Sequence, residues 1–201
     1  SLIIARRNIA GAGTLSAGLA IGGVASPGTC PNTEEYDGSS WSNGGALITA
    51  RHGGIAAGTQ NSTVFWGGNP QSSCTEEYDG SSWSSSGALP FGQYVGGGAG
   101  TQNDAIAFTA DEVSPSQRTY TIAYDGSSWS STQNMNIHRA ASGGGGTANA
   151  AFATGGVLQP ANSANTGETE LWDRVCICNA TYQCYLPLGA WSAGGALITA
   201  R

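Results

Sequence analysis

A six-residue block, Tyr-Asp-Gly-Ser-Ser-Trp, stands at residues 36–41, 78–83 and 124–129, and Trp172-Asp173 opens a fourth, interrupted copy. Self-similarity at a period of about 40–50 residues marks chains in which one supersecondary unit recurs, so the repeat constrains the fold before any local propensity is weighed. Spacing around the block is fixed. Trp41, Trp83, Trp129 and Trp191 are followed, six residues on, by Leu47, Leu89, Met135 and Leu197. Four residues beyond lie Arg51, Gln93, Arg139 and Arg201, and Leu2 and Arg6 stand in the same phase at the chain start. Sixteen residues after Arg6, Arg51 and Arg139 come Gly22-Gly23, Gly67-Gly68 and Gly155-Gly156; in the third copy Thr109-Ala110 keeps the spacing without the glycines.

Length varies in two places only: between the glycine pair and the aromatic, and in the last copy, where Arg174 to Ala190 are inserted. Insertions confined to two points identify loops between fixed strands. Each unit is expected to hold four short strands. The first is small and glycine-rich (Ile9 to Gly13, Gly54 to Gly58, Val95 to Gly100, Ser142 to Gly146). The second is β-branched and aromatic, most clearly Thr63-Val64-Phe65-Trp66. Thr75-Glu76-Glu77-Tyr78 alternates as a half-buried outer strand does. Asp79-Gly80-Ser81-Ser82 is tight-turn chemistry, with the Asp side chain capping the turn and Gly free to take positive φ, and Trp83 opens the fourth strand. The units expected are 1–46, 47–88, 89–134 and 135–201, forming one domain.

Hydrophobic strand, Gly-Gly, variable loop, Tyr-Asp, turn, Trp, a six-residue step to Leu or Met, then Arg: this order resembles the kelch repeat over essentially the whole chain. The residues that carry the resemblance are the three glycine pairs, Tyr36, Tyr78 and Tyr124, and Trp41, Trp83, Trp129 and Trp191. Trp172 in place of Tyr, Gln93 and Thr109-Ala110 depart from it. The resemblance implies an all-β fold, a four-bladed kelch-like β-propeller in which each blade is a four-stranded antiparallel sheet. The near-verbatim, Ser/Gly-padded copies are also similar to kelch-like arrays of phage and bacterial surface proteins. The Asp box of sialidase propellers has one more residue between Asp and Trp, and its arginine cluster and nucleophilic tyrosine have no counterpart here.

With 32 glycines and 39% hydrophobic residues, composition alone would permit disorder; the fixed aromatic register makes Tyr36, Trp41, Tyr78, Trp83, Tyr124, Trp129, Trp172 and Trp191 the expected core. Only 10% of residues are charged and the net charge is −6, which argues against a nucleic-acid partner. No apolar run is long enough for membrane insertion by a helix. Ser1 rather than Met at the start suggests a processed chain or a fragment.

All five cysteines lie in variable segments. Cys30 and Cys74 sit in similar loops of adjacent units, and Cys176, Cys178 and Cys184 in the last insertion. Loop cysteines of an extracellular protein pair as disulfides; Cys184 is expected to pair with Cys176 or Cys178, and the odd number leaves one for another chain or free. A metal reading of Cys-x-Cys with Cys184 lacks a fourth ligand. His52 and His138 flank Arg51 and Arg139 and are read as surface residues at unit junctions, since two histidines do not make a metal or general-base site. Glu34-Glu35 and Glu76-Glu77 are read as solvated edge charges, because strand neighbours point to opposite faces and cannot converge on one ion. The repeated arginines are expected to bind carbonyls or acids of the neighbouring unit. Asn61-Ser62-Thr63 and Asn179-Ala180-Thr181 are N-glycosylation sequons.

No catalytic constellation and no cofactor motif emerges. The expectation is a non-enzymatic, extracellular structural or adhesive protein, a subunit of a surface filament or fibre. Its partners would be copies of itself, since Ser1 to Arg6 and Ala196 to Arg201 are one phase of the repeat. Two arrangements remain open, a closed ring of four and a segment of a longer array; we favour one four-bladed propeller that assembles head to tail. The alternative is a carbohydrate-binding propeller, with glycans bound by exposed aromatics and loops such as Asp111 to Thr119.

Overall fold

The computed structural model describes residues 1–70, 72–108, 119–158, 165–175 and 188–195. None of these is helical. Strands β1 (Ala10–Thr14) and β2 (Ala17–Ile21) form a hairpin, a short ribbon of β3 (Val24–Ala25) and β4 (Gly28–Thr29) fills the variable segment, and β5 (Thr33–Tyr36) returns beside β2 with β6 (Trp41–Asn43) at the rim. The second sheet repeats this plan with β7 (Ile55–Thr59), β8 (Ser62–Trp66), β9 (Thr75–Tyr78) and β10 (Trp83–Ser86). The third uses β11 (Gly97–Thr101), β12 (Asp104–Phe108), β13 (Thr121–Tyr124) and β14 (Trp129–Ser131). In the last copy β15 (Arg139–Ala140) pairs with β18 (Val157–Leu158), while β16 (Gly143–Gly146), β17 (Ala150–Thr154), β19 (Thr169–Val175) and β20 (Leu188–Ala193) make the fourth four-stranded sheet.

Register follows from the block that recurs. Trp83 pairs directly with Tyr78, Trp41 with Tyr36 and Trp191 with Trp172, so each rim hairpin is closed by a cross-strand aromatic pair. The turn between them is local chemistry. Asp79 Oδ1 accepts from the Ser81 and Ser82 amides at 2.8 Å each, and Gly80 takes φ 92°. Asp37 and Asp125 cap their turns in the same way. The insertion of the last copy lengthens the hairpin tip rather than breaking it: Arg174 pairs with Gly189 and Val175 with Leu188. The third strand is more buried than its alternation implies. Thr121–Tyr124 is covered on all four residues, because β13 lies inside its sheet with β14 outside it.

The chain divides into two compact units, one of Ser1–Val95 with Thr101–Asn103 and Asp125–Trp129, the other of Gly96–Gly100, Asp104–Tyr124 and Ser130–Arg201. In the first, Ala10, Leu19, Ile21 and Leu47 pack on Phe65, Tyr78 and Trp83. Backbone bonds tie consecutive sheets there: Gly53 N donates to Asn8 O at 2.9 Å, and Val95 N to Gly53 O at 3.0 Å. These residues are left-handed in every copy, Asn8 at φ 55°, Gly53 at 64°, Val95 at 49° and Ala141 at 53°. In the second unit, Ala99, Ile106, Phe108 and Met135 pack on Ala151, Ala153, Trp172 and Trp191.

Candidate functional site

The charged groups that looked most available for chemistry are spent on structure. Arg51 lies in the segment that leads into the second sheet. Its Nη1 donates to Gly67 O at 2.8 Å and Cys74 O at 2.9 Å, and Nη2 donates to Glu76 Oε1 at 2.8 Å. Glu76 also accepts from the backbone amides of Ile48 and Thr49, at 2.8 and 3.3 Å. The clamp recurs: Arg139 bonds Gly155 O, Glu168 O and Glu170, which holds the Asn136 and Ile137 amides. Arg6 bonds Gly22 O and Glu34, which holds the Ile3 and Ile4 amides. These pairs are at most 2% exposed on either side chain.

Two expectations are corrected here. Glu34 and Glu76 are buried ion-pair partners rather than solvated edge charges, since an arginine 28 or 25 residues away in sequence reaches each of them. Each arginine finds its acid within its own repeat unit, not the neighbouring one. Burial pushes the Arg51 and Arg139 guanidinium pKa down, against the opposing pull of Glu76 and Glu170. For Glu34 burial acts upward, but the Ile3 amide, Arg6 and the Ile4 amide outweigh it and hold the carboxyl below its usual range. The Nε–H of Arg51 and of Arg139 is buried without a hydrogen-bond partner.

The third copy drops the clamp as a whole. Gln93 stands for the arginine, Ile122 for the acid, and Pro90, which has no amide hydrogen, for Ile48. Gln93 and Ile122 are both buried, and neither amide atom of Gln93 has a hydrogen-bond partner.

A second recurring device joins one sheet to the next. Trp83 Nε1 donates to Thr33 Oγ1 at 2.9 Å, Trp129 Nε1 to Thr75 Oγ1 at 2.9 Å and Trp191 Nε1 to Thr121 Oγ1 at 3.1 Å. The donor always belongs to the later sheet. Around it, Tyr78 Oη donates to Glu35, and Gln60 Nε2 donates to Gly18 O and Tyr36 O; Gln102 repeats this on Thr63 O and Tyr78 O. Burial and then the Glu35 bond push the Tyr78 phenol up to about 12.

Among the described residues, two faces lack this cover. On the fourth sheet, Phe152 is 42% exposed and its cross-strand partner Leu171 46%. The corresponding pairs, Leu19 with Glu35, Val64 with Glu77 and Ile106 with Ala123, include an aliphatic side chain at most 2% exposed. On the first sheet, Trp41 and Tyr36 are only half-buried, unlike Trp83 and Tyr78, and Leu15 is 95% exposed. The Trp41 indole N–H has no acceptor among the described residues. Tyr36 and Trp41 nonetheless stack as Tyr78 and Trp83 do, with ring centroids at 5.1 and 4.9 Å.

The remaining candidates are dispersed. Tyr124, Trp172 and Trp191 are buried as expected, with Trp172 Nε1 donating to Ala148 O at 3.0 Å; Trp129 is half-buried. His52 bonds Thr29 Oγ1 at 3.1 Å and meets Tyr94 edge-on, whereas His138 is exposed. Cys30 and Cys74 are unpaired, the Cys30 thiol facing Gly23 O at 3.5 Å. Asn61 is exposed in the turn between β7 and β8. Cys176, Cys178, Cys184 and Asn179 lie outside the described residues. An open cleft of about 510 Å³ lies against Arg7, Val24 and Pro27, where Arg6 is already committed to Glu34. Among the described residues no three His, Cys, Asp or Glu side chains converge to hold a metal ion.

The missed signal is the joint loss at Gln93, Ile122 and Pro90, which would have linked arginine to acid. The chain matches no protein-family model and no curated protein.

Proposed function

We propose that the chain is a segment of four kelch-like blades from a continuing array, serving as a non-enzymatic, extracellular structural protein that assembles head to tail into a filament or fibre. The observation that carries this reading is the repeated junction between sheets. It is made three times by a tryptophan and a threonine of consecutive sheets. Among the described residues it leaves one donor face, around Trp41, and one unlike acceptor face, around Leu171, without a partner. Unlike faces on one molecule generate head-to-tail contacts, which give rings or open polymers according to the rotation between copies. Arg51, Arg139, Glu76 and Glu170 are committed to buried clamps rather than poised for acid–base work. The capping aspartates serve their own turns rather than an ion.

Native mass spectrometry and negative-stain electron microscopy across a concentration series test the reading. Regular polymers that lengthen with concentration are expected. A chain that stays a monomer at every concentration overturns it.

A further inference from the structure

We infer that the growing contact is one specific interface: the Trp41 face of one copy seats on the Phe152–Leu171 face of a second copy, with the Trp41 indole donating to Thr169. This rests on the head-to-tail reading above and names its partner surfaces.

Thr33, Thr75 and Thr121 hold one position of the repeat, three residues before Tyr36, Tyr78 and Tyr124; Thr169 holds it before Trp172. The first three each accept an indole N–H from the following sheet. Among the described residues Thr169 is the acceptor left over and Trp41 is the donor left over. Thr169 Oγ1 shares a hydrogen bond with Thr154 Oγ1 at 2.8 Å, and a hydroxyl oxygen retains acceptor capacity beyond one such bond.

The chemistry of the two faces also changes together. At the first internal junction the surroundings are polar: Tyr78 meets Glu35, and Gln60 reaches two carbonyls. Leu15 occupies the position of Gln60 and Gln102 in the β1–β2 turn, and Leu171 the position of Glu35 and Glu77. A polar latch is therefore replaced by leucine on each of the two open faces. Tyr36, with no acid opposite, turns its hydroxyl onto Gly38 O of its own turn at 2.9 Å. The exposed Leu15, Phe152 and Leu171, with the half-buried Trp41, form the complementary apolar set that a second copy covers, in the manner of exposed patches that mark protein contacts.

The test uses the full chain, with charge substitutions at the exposed Leu171 and Leu15 and a ring-conserving substitution at the half-buried Trp41. Leu171→Arg and Leu15→Arg are each expected to raise the concentration needed for assembly about tenfold or more, because either buries an unpaired charge. Trp41→Phe keeps the ring and loses the N–H, and is expected to weaken association about five- to tenfold. Near-ultraviolet circular dichroism checks that each variant is folded. Because the faces differ, Leu171→Arg chains retain an intact Trp41 face and should cap growing ends, shortening wild-type polymers at substoichiometric ratios. Polymers that persist unchanged with Leu171→Arg and Leu15→Arg overturn this interface while sparing the filament reading. Absence of any wild-type assembly, with the Trp41 indole shielded from acrylamide quenching in the monomer, overturns both.

Discussion

Arg51 Nη2 lies 2.8 Å from Glu76 Oε1, with both side chains closed to solvent. A buried pair is weak evidence of net stabilisation, but removing one member strands the other, so Arg51→Ala is expected to cost about 3–5 kcal/mol in chemical denaturation. The natural third copy shows which changes belong together. Glu76→Ile alone leaves Arg51 without its carboxylate and the Ile48 and Thr49 amides without their acceptor. Combined with Arg51→Gln and Ile48→Pro, it should be less destabilising than Glu76→Ile alone by about 1–3 kcal/mol. Additive losses across the three sites would show that the clamp is not one unit.

Val95 carries a β-branched side chain at φ 49°, where the equivalent residues are Asn8, Gly53 and Ala141. Left-handed backbone costs a residue with a β-carbon about 1–2 kcal/mol, of which glycine's greater freedom in the unfolded chain offsets part. Val95→Gly is therefore expected to raise stability by about 0.5–1 kcal/mol. A lower melting temperature for this variant would mean that Val95 side-chain packing outweighs its backbone strain.

The turn aspartates set the acid limit. Four bonds from Ser81 and Ser82 hold the Asp79 carboxyl down to about 2, and Ser127 and Ser128 do the same for Asp125. A carboxyl depressed in the folded state adds stability that is present above its ordinary pKa near 4 and fades as pH falls toward 2. The melting temperature should hold to about pH 4 and then decline. The Asp79→Asn/Asp125→Asn variant, which keeps an acceptor oxygen but cannot titrate, should show a shallower decline; an unchanged slope would place acid sensitivity elsewhere.

Tyr78 sets a limit at the other end. Its phenol, pushed up to about 12, adds stability that is complete below its ordinary pKa near 10 and is lost as pH rises through 12. Tyr78→Phe is expected to cost about 1–3 kcal/mol at neutral pH, since the bond is to a carboxylate, and to flatten the alkaline limb of the stability profile. A Tyr78→Phe profile parallel to wild type through pH 10–12 would refute that assignment.

What could be read from the chain alone was local. Thr75-Glu76-Glu77-Tyr78, the Asp79 turn and Trp83 are governed by neighbours within ten residues, and the structure places each where the repeat implies. Burial of Glu34 and Glu76 was not legible from strand alternation, because it depends on an arginine delivered from a distant linker. The left-handed position was hidden by chemistry: Asn, Gly, Val and Ala share no side-chain signature there, and backbone bonds between consecutive sheets link it at Asn8, Gly53 and Val95. The uncovered faces were equally opaque, since Trp41 is identical in context to Trp83 and differs only in that no earlier sheet among the described residues offers it a threonine.

Residues 33–42 and 75–84 are the same ten amino acids, yet one hairpin pairs with β2 and the other with β8. Nothing within these hairpins distinguishes their docking sites; only tether length and the strand that receives them do. During refolding they can exchange places, within one chain or between chains. Refolding yield should therefore fall with rising protein concentration, and trapped species should carry correct hairpins on the wrong hosts.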